Sequence, residues 1–170
     1  VTQGIDFSGA AIGGAGGFTQ AGSGTTTLNA ANSYSGATTV SAGTLQLGDG
    51  GTTGSLNTAS AITVDAGAVF AINQSDAVAL GVDFSGAAIT GAGGFAQLGS
   101  GTTTLSATNS FTGKTTIAAG VLSISQDSNL GGNPVSYTAD QLTLNGGVLE
   151  LTSSLTFASN RGITSSTATS

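Results

Sequence analysis

The sequence predicts an all-β protein, a right-handed parallel β-helix (β-solenoid) of roughly seven or eight rungs. Three observations predict it: a long internal repeat, short segments that alternate at period two, and glycine-rich connections too brief for a sandwich. Residues Gly4–Leu45 recur as Gly81–Leu122 at a shift of 77, with 30 of 42 positions identical. Most of the exchanges keep side-chain character, as in Ile5/Val82, Tyr34/Phe111, Ser35/Thr112 and Val40/Ile117. A repeated unit of this kind must bury its apolar side against a neighbour, so the chain reads as a tandem array. The match continues from Ile62–Ala71 to Leu142–Leu151 at a shift of 80, and from Gly81-Val82 to Gly162-Ile163 at a shift of 81. Residues 1–170 therefore form a single solenoid of two repeats, about 4–80 and 81–161, plus the start of a third. The chain begins and ends at the same phase, as a segment of a longer array or a link of a polymer does.

The strands follow in order. Residues 25–29, 37–41, 44–47, 62–65, 69–72, 142–145 and 148–151 mostly alternate apolar and polar residues, and β-branched residues are frequent among them. Between them stand Ala-Gly, Asp-Gly-Gly, Gly-Ser-Gly and Asn-Gly-Gly, which supply the positive φ of tight corners. An antiparallel sandwich would use Asn145-Gly146 as a hairpin turn. The lack of longer Greek-key connections favours the parallel coil, and so do the many Ala, Ser, Thr and Gly side chains, which suit stacking at about 4.8 Å. Roughly 19–26 residues per rung give three or four coils per unit and a rod roughly 35 Å long. Helical periodicity is missing throughout.

Composition narrows the chemistry. The chain has 29 Gly and no Cys, His, Met or Trp. Its charge is −6, with Lys114 and Arg161 as the only basic side chains. Phosphate backbones require clustered cations, so nucleic acid is not an expected partner. Thiolate metal sites and disulfides are excluded. No apolar run reaches the roughly 18–20 residues of a membrane helix, so this segment is not expected to insert in a membrane. Val1-Thr-Gln-Gly lacks the charged and apolar regions of a signal peptide.

Residues Gly24–Gly48 (GTTTLNAANSYSGATTVSAGTLQLG) and Gly101–Ile124 (GTTTLSATNSFTGKTTIAAGVLSI) carry a resemblance. They are similar to the autotransporter-associated β-strand repeat, G-x-L-x-L-x-G-x-N-x-Y-x-G-x-T-x-V-x-x-G-x-L. Gln141–Ile163 resembles the segment that follows this repeat in long bacterial surface proteins. The resemblance implies an exported right-handed β-helix of passenger or adhesin type, extracellular or on the bacterial cell surface.

Each candidate site residue has a structural reading beside a functional one. Asn32 and Asn109 precede Tyr34 and Phe111 in Asn-Ser-aromatic-x-Gly. Loss of the hydroxyl at Phe111 favours a corner with an interior ring over a glycan-contacting loop. Asp6 and Asp83, at equivalent positions, are expected three or four rungs apart, roughly 14–19 Å by the rung spacing, too far for paired-carboxylate hydrolysis. Gly13–Gly17 and Gly91–Gly94 lack the Gly-Lys-Ser/Thr and helix of a phosphate loop. Leu47–Thr52 fails the register of the calcium nonapeptide. Lys114 and Arg161 are expected to stand isolated. No catalytic, cofactor-binding or metal residue is therefore assigned. The Thr runs at 25–27, 38–39, 102–104 and 115–116 offer a Thr-rich flat face for ice or carbohydrate as the alternative function. The primary expectation is a non-enzymatic extracellular stalk or filament subunit. Its partners are further copies joined end to end through open solenoid ends, and host or matrix glycan or protein.

Overall fold

The structure, a computed structural model, describes residues 1–166. The first copy of the repeat supplies β1 (Phe18–Gln20), β2 (Thr25–Leu28), β3 (Thr38–Val40), β4 (Thr44–Leu47), β5 (Ile62–Val64) and β6 (Val69–Ile72). A short β7 (Ala77–Ala79) leads into the second copy, which supplies β8 (Gly94–Gln97), β9 (Thr102–Leu105), β10 (Thr115–Ile117), β11 (Val121–Ile124), β12 (Thr138–Leu144) and β13 (Val148–Leu151). β14 (Arg161–Ser165) follows. A single 3₁₀ turn, Asp127–Leu130, is the one helical element among the described residues.

The strand pairs are parallel and form three faces of a coil. The first face holds β1-β3-β5, the second β2-β4-β6-β8-β10-β12-β14, and the third β7-β9-β11-β13. The expected parallel solenoid is therefore observed. The rung count is not: seven strands on the second face are separated by six steps, so the coil makes about six turns and spans about 30 Å at ~4.8 Å per step. The reason is uneven rung length. Phe95 pairs Thr115 after 20 residues, but Val69 pairs Gly94 after 25 and Val121 pairs Val148 after 27. The long rungs spend residues on excursions that add no height.

Alternation builds the interior. On the second face Leu28, Leu47, Ile72, Gln97, Ile117 and Leu144 stack in one inward row, and Leu45, Phe70 and Phe95 lie in the next. Phe70 is sandwiched between Phe84 and Phe95, with ring centroids 5.8 and 6.3 Å away. Each such side chain contributes about 1.5–3 kcal/mol by leaving water, which lets a chain so rich in Gly hold an ordered core.

The two copies do not stack face on face. Thr19 pairs Thr39, Thr39 pairs Thr63, and Thr63 pairs Thr90, which is three turns on the first face. The counterpart of Thr19 at a shift of 77 is Ala96, and Ala96 pairs Ala71 on the second face. One unit therefore advances three turns plus one face. Every feature of the second copy is rotated around the rod by one face, so Asp6 and Asp83 are not stacked above one another.

A second departure lies at β13. Val121 pairs Val148 and Leu122 pairs Leu149, just as Thr44 pairs Val69 and Leu45 pairs Phe70. Leu149, not Glu150, is thus the counterpart of Phe70. The turn between β5 and β6 holds four residues, and the one between β12 and β13 holds three, so the ungapped match slips by one. A one-residue slip exchanges inward for outward positions. Gly81 and Gly162 also differ: Gly81 opens a turn at φ 91°, whereas Gly162 lies within β14.

Candidate functional surface

The corners that the sequence singled out point inward. Tyr34 and Phe111 are fully buried, Tyr34 stacking on Phe18 at 6.1 Å and Phe111 packing on Phe95 at 6.5 Å. Asn32 is buried too. Its Oδ1 accepts from Ile12 N at 2.9 Å and from Gln3 Nε2 at 2.9 Å, while its Nδ2 donates to Ala30 O at 3.0 Å. Asn109 Oδ1 accepts from Ile89 N at 2.8 Å, and its Nδ2 donates to Asn129 O at 2.7 Å. These amides substitute for backbone partners where the chain turns between strands. They build the coil and are not placed to touch a ligand.

Several buried polar groups have no forerunner in the sequence reading. Gln20 Nε2 donates to Gly22 O at 2.7 Å and Gly24 O at 3.1 Å, and Gln97 repeats this with Gly99 O at 2.8 Å and Gly101 O at 3.2 Å. Each glutamine oxygen accepts from the threonine six residues on, Thr26 or Thr103. Gln20 and Gln97 therefore staple the Gly-Ser-Gly corner from inside. The available signal was a polar residue kept in both copies at an inward phase. Tyr34, Thr38 and Ser60 form a second buried set: the Tyr34 hydroxyl is 2.8 Å from Thr38 Oγ1, which is 2.7 Å from Ser60 Oγ. Burial raises the Tyr34 phenol above its usual pKa, with the hydrogen bonds to Thr38 and Ser60 opposing the rise.

The acidic pair and the Thr runs divide the same way. Asp6 Oδ2 accepts from Thr2 N at 2.7 Å, and Asp83 Oδ2 from Ala79 N at 2.8 Å, each closing one turn. Of the Thr runs, Thr26, Thr27, Thr38, Thr103 and Thr115 are buried. The outward threonines of the first face instead form a column, Thr19–Thr39–Thr63–Thr90, one per rung. Three of these four lie outside the runs that the sequence reading marked.

The expectation that Lys114 and Arg161 stand isolated is overturned. Lys114 Nζ contacts Asp140 Oδ2 on the exterior, and this bond holds the Asp140 carboxyl below its usual range. Arg161 is buried in the coil end. Its Nε donates to Asp127 Oδ1 at 2.8 Å, Nη1 to Leu130 O at 3.1 Å and Nη2 to Gly131 O at 3.0 Å. Both cations find their acids at sequence separations of 26 and 34 residues, which only the coiling brings together.

Among the described residues no three His, Cys, Asp or Glu side chains lie close enough to hold a metal ion, and no helix is long and apolar enough to cross a membrane. The geometry is that of a stiff parallel β-solenoid whose ordered polar groups serve corners and coil ends. Residues 18–47 and 95–124 match the model of the passenger-associated-transport-repeat. These two segments belong to that family, and they lie within one parallel β-solenoid. The chain is similar to the adhesin BmaC autotransporter of Brucella suis biovar 1 (strain 1330), at 35% identity over 88% of this chain. The chain spans about 5% of the length of that relative. No solved structure matches it.

Proposed function

We propose that this chain is a non-enzymatic structural segment of an extracellular, adhesin-type passenger exposed at the bacterial cell surface. In this role it is a stiff spacer made of two units, about 4–80 and 81–161, with a third beginning. The observation that carries the reading is the unbroken parallel stack across six steps on the second face, joined to passenger-type repeats in both copies. A rod of paired backbone and interlocked side chains transmits position without moving parts. Among the described residues no strand pairs the outer edge of β14, and Ile163 upon it is exposed. An open edge is a template for further pairing, so another coil adds there, either the next repeat of the same chain or a second copy joined end to end. Electron micrographs of the isolated 170-residue chain test this. Rods that lengthen with concentration are expected. Monodisperse monomers at high concentration, with β14 amides protected from exchange, would overturn end-to-end joining.

The column Thr19–Thr39–Thr63–Thr90 favours a second reading, a flat Thr face that binds ice or carbohydrate. Its hydroxyls recur at four successive rungs of the first face, which supports an ordered hydration layer. Thermal hysteresis that vanishes in Thr39→Lys would support it, and an inactive wild-type chain would remove it. Thr27 is unsuited to this test, being buried on a different face.

A further inference from the structure

The two copies differ in length at one short segment. Seven residues separate Gly54 from Ile62 in the first copy, and ten separate Gly131 from Leu142 at the matching place in the second. The first copy turns Leu56 and Ser60 of this segment inward. The longer version instead carries a fully exposed Val135 and a largely exposed Tyr137. Hydrogen bonds fix it against the coil. Gly132 N donates to Phe111 O at 2.8 Å, Asn160 Nδ2 to Pro134 O at 2.9 Å and Thr138 N to Asn160 O at 3.0 Å.

This segment walls a cleft of about 310 Å³, lined by Thr112, Asn133, Pro134, Val135, Thr138 and Gln141, among others. None of the lining residues is ionisable. Gln141 is 3% exposed. Its Nε2 donates to Gly113 O at 2.8 Å and Thr112 O at 3.3 Å, which fixes the orientation of the amide. Its Oε1 accepts no hydrogen bond from any described residue, yet this oxygen is not sealed from solvent. An amide oxygen so nearly enclosed is costly to leave unpaired, so it calls for a donor that enters the cleft.

We propose that this cleft binds one neutral sugar ring of a glycan. A sugar hydroxyl donates to Gln141 Oε1 in place of water, and the Asn133 amide and Thr112 hydroxyl answer its neighbours. Pro134 and Val135 supply the apolar wall for the C–H face of the ring. Sites for small ligands combine such a wall with a few placed polar groups. At about 310 Å³ the cleft stands at the small end of ligand sites, which suits a single ring. An uncharged lining gives no counter-charge to a carboxylate, phosphate or ammonium group, so the sugar is a neutral one. A peptide strand is the poorer occupant, because β12 beside the cleft is already paired by β10 and β14 and offers no free edge. The site shares no residue with the threonine column of the first face.

The test titrates the isotope-labelled 170-residue chain with methyl β-glucoside, methyl β-galactoside and methyl N-acetyl-β-glucosaminide, read by NMR. At least one glycoside is expected to shift the Gln141 side-chain amide and the backbone amides of Asn133, Val135 and Ser136. The dissociation constant should be on the order of 1–10 mM, as befits a ring of about a dozen heavy atoms. Gln141→Met removes the buried acceptor and should weaken binding about tenfold or more. Asn133→Ala changes an exposed position and should weaken it about threefold or more, which keeps the test decisive should Gln141→Met fail to fold. Thr39→Lys, on the first face, should alter it less than about twofold. No shift at the cleft with any glycoside up to about 50 mM, shifts centred elsewhere, or undiminished binding by Asn133→Ala would each overturn the proposal. So would a stronger response to the capped dipeptide acetyl-Ser-Gly-amide, which would assign the cleft to a peptide. Failure here leaves the spacer reading standing, because that reading is tested by rod length.

Discussion

The hydroxyl of Tyr34 lies 2.8 Å from Thr38 Oγ1 inside the first copy, and the second copy has lost this bond. Phe111 replaces Tyr34 there, and Thr115 Oγ1 is left buried with no partner. Two near-identical corners therefore differ by one satisfied hydroxyl. Thr38→Val is expected to cost about 1–3 kcal/mol, because it strands Tyr34 and Ser60. Thr115→Val is expected to be neutral or stabilising by up to about 1 kcal/mol, because it removes an orphan. Urea denaturation at unchanged slope measures both.

Alkaline pH should act on the same site. Burial raises the Tyr34 pKa above its unfolded value of about 10. The neutral phenol's contribution is thus fully present below pH about 10 and is lost as pH rises through the folded pKa. Tyr34→Phe should flatten that alkaline decline. The comparison is the change in urea midpoint between pH about 8 and pH about 11 in the two proteins.

Arg161 should hold the segment between β11 and β12. Replacing it with Met leaves Asp127 and the carbonyls of Leu130 and Gly131 without their shared donor. The loss is expected to reach about 3–5 kcal/mol, the cost of breaking a buried pair from one side. Asp127→Asn retains one acceptor oxygen and should lose less. Amide exchange at Asn129 and Gly131, whose N–H groups bond within the 3₁₀ turn, should quicken first in Arg161→Met.

The corner glycines Gly43 and Gly120 are equivalent, with φ of 64° and 57°. An added Cβ would meet Gly24 O or Gly101 O at 2.3 Å, backbone of the rung below that cannot swing away. Gly43→Ala and Gly120→Ala should each destabilise by about 2 kcal/mol or more, from combined strain and overlap. Equal melting temperatures for wild type and both variants would contradict the corner geometry.

Much of this coil was legible in the chain. The segments at 44–47, 69–72 and 148–151 coincide with β4, β6 and β13, because alternation and corner glycines are local signals. β1, β7 and β8 escaped notice, since three or four residues with mixed neighbours show no period on their own. Asn32, Asn109, Tyr34 and Phe111 were read as corner and core residues and are found so. Gln20, Gln97 and Arg161 were not. Gln20 and Gln97 show only as a polar residue kept in both copies, and the carbonyls that hold all three side chains become available only once the corners close.

The repeat, the parallel coil and the thinness of each rung depend on period, small side chains and turn residues, all of which can be read along the chain. The tertiary structure alone decided where each rung lands. Unit length does not announce that 77 residues make three turns plus one face, or that one fewer turn residue before Val148 puts Leu149 inside. Connection length sets which strand is next in the stack, and pairing then fixes register. The charged partners Lys114–Asp140 and Arg161–Asp127 follow from that winding, because coiling brings together groups that the chain keeps tens of residues apart.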